Sequence, residues 1–186
     1  LVKDYPYNFV FWAQYEDAAG VQKAYDLTSF DSNAKVQVSY AGDANDECRD
    51  AFYKQEIIKI SSAGESRTIE LRRPFAQINF GSSDFAQVDE LGLAMESTVA
   101  ISGLADTYSI LEGTISGDAS TALELSTVPA QFDPADTLVV KGQDYGYVSM
   151  NYILAPEEER ELANVHATFS YNGSSVDLDV PNVPFR

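Results

Sequence analysis

The chain is short of the residues from which most chemistry is built. Its 186 residues include one cysteine (Cys48), one histidine (His166), one tryptophan and two methionines. A lone cysteine closes no internal disulfide, so the fold must be held by its core, and the count leaves the redox compartment open. Cys48 has no histidine near it in sequence and reads as an incidental thiol. His166 lies in a strand-like run without a second histidine or a neighbouring nucleophile, and reads as a surface or sheet residue. Triad catalysis needs a nucleophile, a base and an orienting group. The sequence has no G-x-S-x-G elbow, no phosphate-binding loop, no dinucleotide fingerprint and no zinc-ligand spacing. Paired carboxylates of the glycosidase kind need no motif, but among 29 acidic residues no pair stands out. The sequence thus points to no catalytic residue, no cofactor, no metal ligand and no marked binding residue, and the expectation is a protein that is not an enzyme.

Positive charge is also scarce. Twelve Lys and Arg face 29 Asp and Glu, a formal charge of −17, and such a field repels phosphate backbones and anionic headgroups. No nucleic-acid partner is expected. No apolar run approaches the roughly 20 residues of a membrane helix, and Leu1-Val-Lys-Asp4 is not a signal peptide. The expectation is a single β-sandwich domain over residues 1–186, a mature or truncated module with a further C-terminal domain beyond Arg186.

Aromatic residues, by contrast, are abundant: eleven Tyr and ten Phe, which suit a pleated surface. The most ordered stretch is Arg67–Gly81. Ile69 and Leu71 alternate with Thr68, Glu70 and Arg72, then Ala76, Ile78 and Phe80 alternate with Phe75, Gln77 and Asn79. A period of two predicts two half-buried strands, and Pro74 between them predicts a bend or a change of sheet. Tyr7–Tyr15 is nearly continuous in apolar and aromatic residues, which predicts a central strand covered on both sides, with Trp12 in the core. Further strands are expected at Tyr25–Phe30, Ala34–Tyr40, Gln55–Ser61, Ser97–Ser102, Tyr108–Leu111, Ala122–Leu125, Leu138–Val140, Tyr145–Leu154, Val165–Tyr171 and Ser175–Val180. Asn172-Gly173 predicts a two-residue hairpin turn between the last two.

Two short helices are expected, at Glu47–Tyr53 and at Phe85–Ala94, the second capped by Ser83 or Asp84. Asp43, Asp46, Glu47 and Asp50 lack the register of a calcium loop and read as a solvated acidic loop, as does the run Glu157–Glu161. Spacing and patterning together give an all-β sandwich.

The order of four blocks carries a resemblance. Phe9-Val-Phe-Trp-Ala13, Leu71–Gly81, Val99–Leu104 and Met150–Pro156, the last leading into the hairpin through Asn172-Gly173, resemble the fimbrillin-like proteins of Bacteroides and relatives, the Mfa/FimA-type subunits of type V pili. The resemblance implies a transthyretin- or immunoglobulin-like Greek-key sandwich with one or two short helices. It also implies a fimbrial subunit or surface lipoprotein at the cell surface, outer membrane or fimbrium, structural or adhesive, which meets other fimbrial subunits by β-strand addition. Membrane contact would come only through a lipid anchor absent from this chain. Those proteins are cleaved after an arginine ahead of the first strand. No arginine precedes Phe9 in this sequence, so the site is not carried over, and the alternatives are that Leu1 lies beyond it or that the chain is a tip or accessory subunit that is never cut. Asp136-Thr-Leu138 fits the O-glycosylation pattern of that group. Asn172-Gly-Ser174 matches the N-glycosylation pattern but reads as turn chemistry. The alternative is a lipoprotein that binds a host glycan or host protein without polymerising, for which Tyr108, Tyr145 and Tyr147 are candidate exposed aromatics.

Overall fold

The computed structural model describes residues 2–16, 25–28, 30–40, 50–61, 66–84, 95–117, 137–171 and 173–186. Within them the chain is all-β and sandwich-like. The elements are β1 (Pro6–Gln14), β2 (Tyr25–Asp26), α1 (Phe30–Asn33), β3 (Lys35–Val38), β4 (Ala51–Lys59), β5 (Phe75–Ser82), β6 (Met95–Ile101), β7 (Thr107–Ser109), β8 (Thr114–Ser116), β9 (Thr137–Val140), β10 (Gln143–Leu154), β11 (Arg160–Tyr171) and β12 (Ser174–Phe185). All pairings are antiparallel and form four sheets, ordered β1-β4, β5-β10-β9, β12-β11-β6 and β2-β3-β7-β8.

Alternation builds two apolar clusters. Val99 and Ile101 of β6, Ile153 of β10 and Val165 and Ala167 of β11 are sealed from solvent, and Ala76, Ile78 and Phe80 of β5 pack onto them. These are the alternate residues expected of β5. The second cluster joins Val36, Val38 and Tyr108 of the four-stranded sheet to Ala51 and Tyr53 of β4. Tyr40 and Phe185 touch both clusters. The Tyr40 hydroxyl donates to the Ala105 carbonyl at 2.7 Å and accepts the Leu154 amide at 3.2 Å, so its polar end is satisfied where its ring is half-buried.

Pro74 is fully buried and marks a change of sheet: Arg72 bridges to β4, whereas β5 begins one residue after the proline and pairs with β10. The first half of the stretch departs from expectation. Arg67–Arg72 is no full strand; it lies beside β4 with one bridge, in which the Tyr53 amide donates to the Arg72 carbonyl at 2.8 Å and the Arg72 amide to the Tyr53 carbonyl at 2.9 Å. Leu71 is 37% exposed rather than in the core.

β1 is a second correction. It pairs with β4 in a two-stranded ribbon and has no fully buried residue, so it is not central. Aromatic rings stacked along its own face shelter it where a second layer was expected. The expected helix Glu47–Tyr53 is also overturned over its last part, because Ala51–Tyr53 open β4; residues 47–49 lie outside the described residues. Tyr25–Phe30 yields only the two residues of β2, because the Asp26 carboxylate takes the Thr28 amide at 2.8 Å and turns the chain into α1.

The two long hairpins match their turn chemistry. Tyr171 pairs with Ser174 around a two-residue connection in which Gly173 has φ +76°. Lys141 and Gly142 join β9 to β10 with φ +52° and +82°, the left-handed pair that suits strand twist. Asp43, Asp46, Glu47 and Cys48, the expected helix at Phe85–Ala94, the expected strand at Ala122–Leu125 and Asn172 lie outside the described residues.

Candidate functional site

Along β1 the odd positions carry a row of rings. Tyr5 and Tyr7 meet edge to face at 5.2 Å, Tyr7 and Phe9 at 6.3 Å, and Phe9 and Phe11 stack at 6.2 Å and 17°. The even positions Val10 and Trp12 pack onto the core, with the Trp12 ring 5.4 Å from Tyr25 and its indole N–H donating to the Gln14 side chain at 2.7 Å.

The buried face of β4 changes along its length, which the strong twist usual in two-stranded ribbons accounts for. At one end Ala51 and Tyr53 of β4 are buried; at the other the opposite parity is inside, Ile58 being 7% and Ile57 66% exposed. Arg67 reaches Glu56 at 3.4 Å, and the Arg73 guanidinium is bidentate to Asp50 at 2.8 Å and lies over the Phe52 ring. These contacts hold the segment ahead of β5 against the ribbon.

An open groove of about 480 Å³ results. Val10, Phe11 and Trp12 line it from β1, Leu27 from the turn after β2, Phe30 from the start of α1, and Ile69 and Leu71 from the segment beside β4. Among the described residues no ionisable side chain lines it, and the lining it presents suits apolar side chains. Among the described residues β1 pairs with β4 alone, so its outer edge has no strand partner there, while Val10, Phe11 and Trp12 of the same strand line the groove. Ile69 and Leu71 were legible as an alternating pair, but not as groove residues. Their position next to Pro74 was the available signal.

A family of unknown function (DUF6562) matches the chain over residues 1–186. The chain belongs to that family. No curated protein and no solved structure matches it. Membership of DUF6562 brings no activity with it, so any function must be argued from the site.

A second cluster on this DUF6562 chain involves its one histidine. On the outer face of β11 and β12, His166 Nδ1 is 2.9 Å from Asp179 Oδ1, and His166 Nε2 is 3.3 Å from Thr168 Oγ1. Thr168 donates instead to Asp177 Oδ1 at 2.7 Å, and the Asn164 amide donates to Asp179 Oδ1 at 3.0 Å. Hydrogen bonds from Asn164 and then His166 hold the Asp179 carboxyl below its ordinary range. The order Asp–His–Thr resembles a triad, yet the hydroxyl proton is engaged by a carboxylate and the cluster lies on an open sheet face. It is a surface network. Among the described residues no group of three or more His, Cys, Asp or Glu is placed to hold a metal ion.

Of the candidate aromatics, Tyr108 is wholly buried and is no platform, which corrects that expectation: β7 lies between β3 and β8 and turns it into the core. Tyr145 and Tyr147 are half-buried on β10. Asp136 lies outside the described residues, and Thr137-Leu138 open β9.

Proposed function

We propose that this chain is a non-enzymatic structural or adhesive subunit of cell-surface fimbriae, anchored or processed as an outer-membrane lipoprotein, that meets other subunits by β-strand addition. One observation carries the reading: among the described residues the nine-residue β1 has one edge without a strand partner, and its Val10, Phe11 and Trp12 line an open apolar groove. Main-chain pairing along an edge supplies affinity and pockets for alternate side chains supply specificity. An unblunted edge is otherwise an aggregation hazard, so an edge with a groove beside it fits a use. Each aliphatic side chain seated there would contribute about 1.5–3 kcal/mol. The resemblance of the four sequence blocks to fimbrillin-like subunits supports the same reading.

The test is assembly. Sedimentation velocity and electron microscopy of concentrated protein should show oligomers that an Ile69→Asp/Leu71→Asp variant does not form, while its thermal melt stays close to the parent. A parent chain that remains monomeric at every concentration, also after limited cleavage with a trypsin-like protease, overturns the reading.

Binding of a host glycan or protein without polymerisation is the second reading, and the half-exposed row Tyr5, Tyr7, Phe9 and Phe11 favours it. Glycan-array binding lost on Tyr5→Ala and Phe9→Ala would support it, and an array without a hit would remove it for glycans.

A further inference from the structure

The charge of the chain is unevenly divided. Residues 1–81 hold nine Lys and Arg against twelve Asp and Glu, and residues 82–186 hold three against seventeen, so −14 of the −17 belongs to the second stretch. Within the strands themselves the difference is smaller but of the same sign: β1 and β4 hold Lys54 and Lys59 against Glu56, and β12 holds Asp177 and Asp179 with no cation. Among the described residues, Lys54, Lys59 and Arg72 are in no ion pair; Lys54 stands directly across from the groove residue Phe11, Arg72 follows Leu71, and Lys59 lies at the far end of the ribbon across from Pro6.

β12 is an edge strand with an unusual outer half. Val176 and Leu178 face the same side as Phe169 and Ala167, their partners on β11, yet they are 59% and 43% exposed. Asp177 and Asp179 alternate with them and point to the other face, where Thr168, His166 and Asn164 hold them. Edge strands are usually blunted by lysine or proline. β12 has its prolines only at 181 and 184, so Ser174–Val180 retains every edge donor.

We propose, building on the strand-addition reading, that copies of this chain associate head to tail: the edge of β12 over Ser174–Val180 in one copy pairs, in the next, with the edge of β1 that no described strand covers, and Val176 and Leu178 enter the groove at Val10 and Trp12. β12 stays in its own sheet, so the contact makes a continuous sheet across two copies. Two different surfaces meet, so the contact is heterologous and propagates when the rotation between copies does not close a ring. Like charges repel these copies in most orientations. This one places β12, with Asp177 and Asp179 and no cation, against a ribbon whose strands hold Lys54 and Lys59 with Glu56, and such complementarity fixes register and encounter. The attraction is screened over a Debye length of about 8 Å at physiological ionic strength.

Three proteins test this by sedimentation velocity at low and high salt: the parent, a strand variant Val176→Ser/Leu178→Ser and a groove variant Ile69→Asp/Leu71→Asp. All four positions are at least partly exposed, and circular dichroism melts verify folding. The parent should form a ladder of oligomers that shortens as salt rises. Each variant alone should associate at least about tenfold more weakly, and an equimolar mixture should give a dimer and nothing larger, because one partner keeps its strand and the other its groove. If the parent assembles and the strand variant assembles equally, this contact is wrong while strand addition survives. If the mixture stays monomeric, the contact is likewise overturned. A parent that is monomeric at all salt concentrations removes both.

Discussion

The phenol of Tyr53 donates a hydrogen bond to the Glu157 carboxylate at 3.0 Å, across 104 positions of sequence. It ties the middle of β4 to the turn between β10 and β11, where the Glu157 amide also donates to Gly113 at 3.2 Å. The Tyr53 ring meets Tyr108 edge to face at 4.9 Å, and among the described residues the buried Tyr108 hydroxyl has no hydrogen-bond partner of normal geometry.

These two phenols should respond oppositely to deletion. Tyr53→Phe loses a bond to a carboxylate and should cost about 1–2 kcal/mol in urea denaturation. Tyr108→Phe removes a buried unsatisfied group and should be neutral or stabilising. Equal losses for the two variants would show that the Tyr108 hydroxyl is paired after all.

Alkali should destabilise the protein through the same pair. Burial raises both phenols above the ordinary tyrosine range. The unfolded chain ionises its tyrosines near pH 10, so the folded state holds these protons where the unfolded state releases them. The contribution is complete below about pH 10 and is lost as pH climbs from there towards the folded values. Denaturation midpoints between about pH 9 and 11 should fall, and a Tyr53→Phe/Tyr108→Phe double variant should flatten the fall. A flat parent profile would contradict the burial argument.

On the acid side, the group to follow is Asp179. Its folded carboxyl lies below the ordinary 3.8 because Asn164 and then His166 donate to it, so its contribution is present above the unfolded value and is lost as pH falls through the lowered one. Asn164→Ala should move the NMR titration midpoint of Asp179 up towards 3.8, and His166→Ala should move it by less. An unmoved midpoint in Asn164→Ala would mean that the amide contact is not made in solution.

Two glycines in left-handed backbone separate strain from clash. Gly142, at φ +82°, has open space around the position of a Cβ, whereas at Gly117, at φ +86°, a Cβ would lie 1.9 Å from Asp106 Oδ1. That carboxylate accepts the Thr107 hydroxyl at 2.8 Å. Gly142→Ala should cost about 1–2 kcal/mol. Gly117→Ala should cost at least about 1 kcal/mol more, from overpacking. Similar melting temperatures for the two variants would show that Asp106 moves aside.

Strand identity was legible wherever one face of a strand meets the core. Ala76, Ile78 and Phe80 read as an inward row because they are one, and Asn172-Gly173 marks the last hairpin because a two-residue loop demands such backbone. Ile69 and Leu71 show the same period but line a groove, and periodicity does not separate an apolar face covered by the fold from one left open. β1 misled for a related reason: continuous apolar composition signals two covered faces, whereas its odd-numbered rings shelter one another. The groove itself needed Leu27 and Phe30, which reach it only because Asp26 turns the chain after β2. No local sequence signal carries that long-range meeting.

Tyr40 and Phe185, each touching both apolar clusters, make the two cores thermodynamically inseparable. Neither cluster can open without exposing part of the other, so calorimetry should record one transition whose van't Hoff and calorimetric enthalpies agree. For a chain working under mechanical load, force reaching β12 through Phe185 would be resisted by both cores at once.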